Sequence, residues 1–126
     1  MRIQRFGFVS ILVLIATVVL HAAAVNDVRL VNAAKQHDIA AMRALLKQRI
    51  DVNTPDVDGM TALHWAAHWN ELEIAKLLLA SGANAKATNR YGVTPLHEAT
   101  LVANVPMMEA LLKAGASANE IGRAHV

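Results

Sequence analysis

Apolar positions along this chain fall into two regimes. Over residues 6–20 they run almost unbroken, interrupted only by Gly7, Ser10 and Thr17. Beyond residue 25 they come in short clusters that recur: Leu63 with Ala66 and Ala67, Leu96 with Ala99, and the pairs Leu45-Leu46, Leu78-Leu79 and Leu111-Leu112. Spacings of three and four residues within a cluster mark one narrow face of a helix, and small alanines on that face let another helix approach closely. Sliding the chain by 33 residues brings 10 identities into the 27 residues that begin at Gly59, among them Gly59 on Gly92, Thr61 on Thr94, Leu63 on Leu96, His64 on His97 and Gly82 on Gly115. Composition alone would give roughly two or three. A backward shift matches Leu30 to Leu63, Ala33 to Ala66 and Leu45 to Leu78. The period is real, and it predicts the architecture.

Within each period the punctuation is consistent. Thr94 suits an N-cap, with Pro95 at the first helical position, where a missing N–H costs nothing. Thr61 does the same with Ala62 in the proline slot. A second helix is expected to begin near Asp38, Glu71 and Asn104, each favourable beside a helix N-terminus. Pro106 falls in the first turn of the last of these, where it is tolerated. Gly82 and Gly115 supply the left-handed residue that ends a helix. Each unit therefore reads as helix, turn, helix, then a loop around Gly59 or Gly92. Helices of about eight to ten residues cannot stand alone in water, so stacking must hold them. The fold class is all-α: a solenoid of stacked helix-turn-helix units joined by loops and β-turns.

Composition changes the picture once the two regimes are separated. The 126 residues carry 12 Lys and Arg against 10 Asp and Glu, a net charge of +2, with no cysteine. Arg2 and Arg5 account for that excess, so the repeat region is neutral. The absence of cysteine excludes a disulfide scaffold, a thiolate metal site and a cysteine nucleophile. Residues 1–24 combine Arg2 and Arg5, a short apolar run and Ala22-Ala23-Ala24 as a small-residue cleavage site, which describes a secretory signal peptide. The rival is an uncleaved anchor, but a spanning helix needs about 20 apolar residues and this run is shorter. Cleavage before Val25 is expected, leaving no membrane attachment.

The residues now carry a resemblance. Gly59-Met-Thr-Ala-Leu-His-Trp-Ala and Gly92-Val-Thr-Pro-Leu-His-Glu-Ala resemble the G-x-T-P-L-H-x-A signature of ankyrin repeats, with Gly59, Thr61, Leu63, His64, Gly92, Thr94, Pro95, Leu96 and His97 in the signature positions. Gly82 and Gly115 match the family's closing turn. The resemblance implies three units, over about residues 26–58, 59–91 and 92–120, within a repeat domain spanning 25–120. The first departs from the pattern: Val28 to Val31 replace T-P-L-H, and Arg49-Ile50 replace Gly-Ala. That suits an N-terminal cap. Arg49 must then adopt a left-handed conformation at about 1 kcal/mol relative to glycine, or its turn is reshaped. At the other end, residues 121–126 break the pattern and read as a non-native tail on a truncated array. With nothing polar capping unit three, Met107 and Leu111 are expected to have one side open to water.

Candidate chemistry is sparse. His64 and His68 are spaced i, i+4, which could bring both imidazoles to one metal, but no third ligand accompanies them. The resemblance implies instead that His64 and His97 bond backbone in neighbouring turns. No metal and no cofactor is expected. Glycines at 33-residue spacing are helix stops instead of a phosphate loop, and Ser81 and Ser117 stand at turns, where serine is usual. The chain is read as a binding module and not as an enzyme. Scattered lysines on a neutral chain disfavour nucleic acid, and no small-molecule substrate is expected.

The resemblance further implies a concave, variable surface made by the residues after the alanine pair and those around the loop glycine. In this sequence these are Val57, Asp58, Met60, His68 and Trp69, then Arg90, Tyr91, Val93, Leu101 and Val102. Trp69 has two readings, a cover for the inter-helix groove or a contact residue; Trp, Tyr and Arg dominate interface hot spots. Trp65, next to the core pair, reads as packing. The expected function is recognition of an unidentified protein partner by an exported ankyrin-repeat protein of bacterial type, periplasmic or secreted. The alternative is a repeat module attached to an unseen enzymatic or membrane part.

Overall fold

The computed structural model describes residues 26–120; the leader over 1–24 and the tail over 121–126 lie outside the described residues. Six short helices follow in pairs: α1 (Arg29–Lys35) and α2 (Ile39–Leu46), α3 (Ala62–His68) and α4 (Leu72–Ala80), α5 (Pro95–Leu101) and α6 (Val105–Lys113), with a 3₁₀ turn at Ala118–Glu120. Among the described residues no strand is present. The first helix of each pair packs on its counterpart in the next pair, α1 on α3 on α5, and the second helices form a looser parallel row. The result is a two-layered stack whose core lies between the rows.

That core is built from the periodic positions. Leu30, Leu63 and Leu96 are buried at the same register, as are Ala33, Ala66 and Ala99, and Ala34 beside Ala67. No bulk projects from the alanines, so the inner helices approach one another; Met42, Ile74, Leu78, Met107 and Leu111 fill the space beneath the outer row.

Side-chain caps form at Asp38, Thr94 and Asn104, as expected. Asp38 accepts from the Ala41 N–H at 3.0 Å and Asn104 from the Met107 N–H at 3.0 Å. Thr94 accepts from the His97 N–H at 3.2 Å, with Pro95 at the first position. Glu71 precedes α4 without capping it; its longer side chain reaches across to His37 instead. Val28, ahead of α1, has nothing to cap with, and Asp27 one residue earlier accepts from the Arg29 N–H. The Arg29 guanidinium beside Asp27 holds that carboxyl at about 2, well below its ordinary value.

Left-handed residues recur with the period. Arg49, Gly82 and Gly115 have φ of 54°, 94° and 101°, so the first unit keeps the family's turn and forces an arginine into it. A second series was not anticipated: His37, Asn70 and Ala103, with φ of 57°, 61° and 51°, close the turn inside each helix pair.

One expectation about the end of the stack is corrected. Met107 and Leu111 are fully buried, because they point into the space between α6 and the helices α4 and α5 it packs against. The open positions are instead Val105, 58% exposed, and Leu112, 43% exposed. Their register equivalents Leu72 and Leu79 are partly buried against the core.

Candidate protein-binding surface

Two loop tips and the inner helix row make the surface to which the sequence pointed. Each tip is a tight turn held by one side chain. Asp56 Oδ1 accepts from the Asp58 and Met60 N–H groups at 2.9 and 3.0 Å, and 33 residues on Asn89 Oδ1 accepts from Tyr91 and Val93, both at 2.9 Å. Gly59 and Gly92 provide the positive φ that lets the chain fold back above these carbonyl-type acceptors. The tips are tied to each other: the Arg90 N–H donates to the Asp58 carbonyl at 3.0 Å, and its guanidinium donates to the Val57 carbonyl at 2.9 Å.

Beneath the tips, His64 fixes the junction of units two and three. The Thr61 N–H donates to His64 Nδ1 at 3.0 Å, so that nitrogen carries no proton. Nε2 therefore bears it, and donates to the Val93 carbonyl at 2.9 Å. Burial pushes the imidazole's pKa below its ordinary value of 6.5, an effect that the Val93 carbonyl and the more distant Glu98 and Asp56 charges only partly oppose. Both nitrogens are thus committed, and His64 and His68 do not converge on a shared ligand site. Among the described residues no group of three His, Cys, Asp or Glu side chains is placed to hold a metal. His97, the register equivalent of His64, is buried as well.

The exposed face of the inner row carries a run of rings. His37 stacks on Trp69 with centroids 5.0 Å apart, His68 meets Trp69 edge-on at 4.9 Å, and Trp65 meets His68 edge-on at 5.6 Å. Two histidine–carboxylate hydrogen bonds cross the unit boundaries beside them: His37 Nε2 with Glu71 Oε1 at 2.7 Å and His68 Nδ1 with Glu98 Oε2 at 3.1 Å. Trp69 joins two units and yet stays partly open to solvent. Its indole N–H donates to the Ala34 carbonyl at 3.1 Å, tying unit two to unit one, while 40% of the residue stays exposed. Trp65 is half-buried against the core, and its indole N–H points at Asp56 Oδ2, 3.4 Å away.

The other expected contact residues divide. Val57, Tyr91, Leu101 and Val102 are open to solvent, Tyr91 and Leu101 by about two thirds, and Arg90 is exposed beside Tyr91 with its guanidinium 5.9 Å from the ring centroid. Asp58 and Val93 are half-buried. Met60 is a correction: only 8% exposed, it lies under the next tip with Asn89 Nδ2 3.3 Å from its sulfur, and it cannot present a side chain to a partner. Two exposed neighbours were not picked out: His37 stacks on Trp69 and Lys35 lies 5.8 Å above the Trp65 ring, both on unit one, whose poor match to the signature hid them. The 33-residue register was the available signal, since Lys35 aligns with His68.

Comparison with known proteins agrees with this geometry. The family described as Ankyrin repeats (3 copies) matches residues 30–121. The chain is 36% identical over 88 residues to the potassium channel AKT2/3 of Arabidopsis thaliana, covering 65% of this chain and 11% of the channel. It is 38% identical over 88 residues to the palmitoyltransferase Hip14 of Drosophila melanogaster, covering 69% of this chain and 14% of that enzyme. A third relative is a transient receptor potential cation channel subfamily A member 1 homolog of Caenorhabditis elegans, 42% identical over 70 residues that make up 55% of this chain and 6% of the channel. The chain thus spans at most about a seventh of these relatives' length.

Proposed function

Because this chain belongs to the ankyrin-repeat family, we propose that it is an exported, non-catalytic protein that recognises a protein partner through the inner helix row and the loop tips. The observation that carries this reading is the exposure of Trp69, Tyr91, Leu101 and Val102 at the loop tips and the ends of the inner helices, on elements tied together by bonds between units. Exposed large apolar side chains cost solubility and need a purpose when they gather on one face. A rigid scaffold binds with little ordering entropy, so a small set of anchors suffices.

Partner capture from an extracytoplasmic extract tests the surface. Trp69→Ala alone is ambiguous, since that indole also joins two units. Tyr91→Ala and Leu101→Ser alter side chains that are largely solvent-exposed, so they leave the melting temperature in place. Both are expected to lower capture at least about tenfold, as interface anchors do; unchanged capture by both sinks the assignment. Export rests on the leader's residues and is tested separately: N-terminal sequencing of the exported protein should begin at Val25. A bacterial host would place it in the periplasm or outside the cell.

A second reading, a module within a longer exported protein with its own enzymatic or membrane part, is favoured by the exposed Val105 and Leu112. The apparent mass of the native product on an immunoblot separates the two.

A further inference from the structure

The binding face is not uniform along the stack. At unit one a cleft of about 360 Å³ lies between α1 and the first loop tip, lined by Val28, Asn32, Lys35, Pro55, Asp56 and Val57. Lys35 is exposed there and forms no ion pair within 4 Å among the described residues. The other charges on the face are already engaged. Asp56 accepts two backbone N–H groups and faces the Trp65 indole N–H; Glu71 and Glu98 hold His37 and His68; Arg90 is tied to Val57 and sits 3.6 Å from Asp58. What the face offers at this end is therefore a cation with no carboxylate within 4 Å among the described residues, its ammonium 5.8 Å from the Trp65 ring centroid, lining the same cleft as the Asn32 amide. At unit three the same register carries the exposed apolar Leu101 and Val102, and Glu98 one turn earlier holds His68. Between the two ends lies the Trp69 ring.

We infer that this face takes one extended segment of the protein partner in a fixed direction, with a carboxylate side chain in the Lys35–Asn32 cleft and an apolar side chain over Leu101 and Val102. The inference rests on the function proposed above and adds the partner's chemistry and polarity. The spacing follows from geometry. Two steps between packed helices of about 8–10 Å each separate the two ends, and an extended chain advances about 3.3 Å per residue. Acidic and apolar residues are then about five or six positions apart. A reversed segment would leave a carboxylate over leucine and valine and an apolar group on the ammonium, and each mismatch strips hydration from a charge without replacing it.

Selection of a displayed random-peptide library on the full chain tests this directly. The enriched sequences should carry Asp or Glu about five or six residues from a large apolar residue, in one order along the peptide. Lys35→Glu should lower binding of those peptides about tenfold, consistent with loss and reversal of a complementary charge, and Leu101→Asp should lower it at least as much. Both positions are exposed, and unchanged thermal melts confirm that each variant folds. Enriched peptides without an acidic residue, with either order equally, or bound equally well by Lys35→Glu overturn the inference while leaving the surface assignment intact if Leu101→Asp still weakens them. Peptides indifferent to Leu101→Asp and Tyr91→Ala bind elsewhere, and both the inference and the function proposed for this face fall.

Discussion

Burial between units two and three leaves His64 with one proton, and its neighbours decide where that proton sits. The folded protein resists a second proton, because the added charge would be desolvated and Nδ1 would have to surrender the Thr61 N–H. The unfolded chain has no such resistance and takes up that proton as pH drops below the ordinary value of 6.5. With the folded pKa depressed, this contribution is fully present above 6.5 and lost as pH falls towards the folded value, at no more than about 1.4 kcal/mol per pH unit for one proton. Thermal melts between pH 7.5 and 5.5 should show a falling midpoint. His64→Ala should reduce that slope and lower the midpoint throughout, by about 2–3 kcal/mol at neutral pH for the lost buried bonds and packing. The two loop glycines give a second contrast at this scale. A Cβ on Gly59 would meet the Asn89 and Arg90 backbone at 3.1–3.2 Å, whereas one on Gly92 meets nothing within 4 Å. Both variants carry the left-handed penalty of about 1 kcal/mol; urea titration should find Gly59→Ala worse than Gly92→Ala by about 1–2 kcal/mol, since overpacking is added. Equal losses would mean the tips do not press together as described.

The helices themselves were legible because their signals are local. Thr94, Pro95, Asp38 and Asn104 announce starts through side-chain and ring chemistry, and Gly82 and Gly115 announce stops through backbone freedom. The turn inside each pair was not legible, since it uses His37, Asn70 and Ala103 in a conformation usually flagged by glycine. Asn and His are several-fold enriched at positive φ, so two of the three left a faint trace; alanine left none. Those positions and Arg49 hold conformational strain that can be released. Ala103→Gly and Arg49→Gly are each expected to stabilise by about 0.5–1 kcal/mol, the left-handed relief exceeding the added freedom of the unfolded chain. Chemical denaturation of the two variants checks this, and a loss of stability in both would contradict the turn geometry. At Glu71 the helix start was legible and the partner of its side chain was not. A carboxylate that suits an N-terminal dipole was drawn off by a histidine 34 residues away, a contact no local pattern encodes.

At the scale of the molecule, the 33-residue period was enough to give the stack of helix pairs and the close approach of the alanine faces. Which outer-row residues stay wet at unit three was misjudged although the period carried the signal, since Met107 and Leu111 stand at the register of the buried Ile74 and Leu78. The proposed face was only partly legible. Register picked out Trp69, Tyr91, Leu101 and Val102, which are exposed, but Met60 fell beneath a tip, and Lys35 and His37 adjoin Trp65 and Trp69 from the unit that least resembles the others. Bonds between units make this face one body. Asn53 accepts from the Asn84 N–H and donates to the Gly82 carbonyl, His64 reaches Val93, Trp69 reaches Ala34, and Arg90 reaches Val57. The central claim is that this body meets its partner with the inner row. Hydrogen exchange of the full chain, with and without the captured partner, measures that most directly. Slowed exchange should concentrate at the loop tips around Asp58 and Tyr91 and at the ends of α3 and α5 near Trp69 and Val102. Slowed exchange confined to α2, α4 and α6, with the tips unchanged, would contradict it.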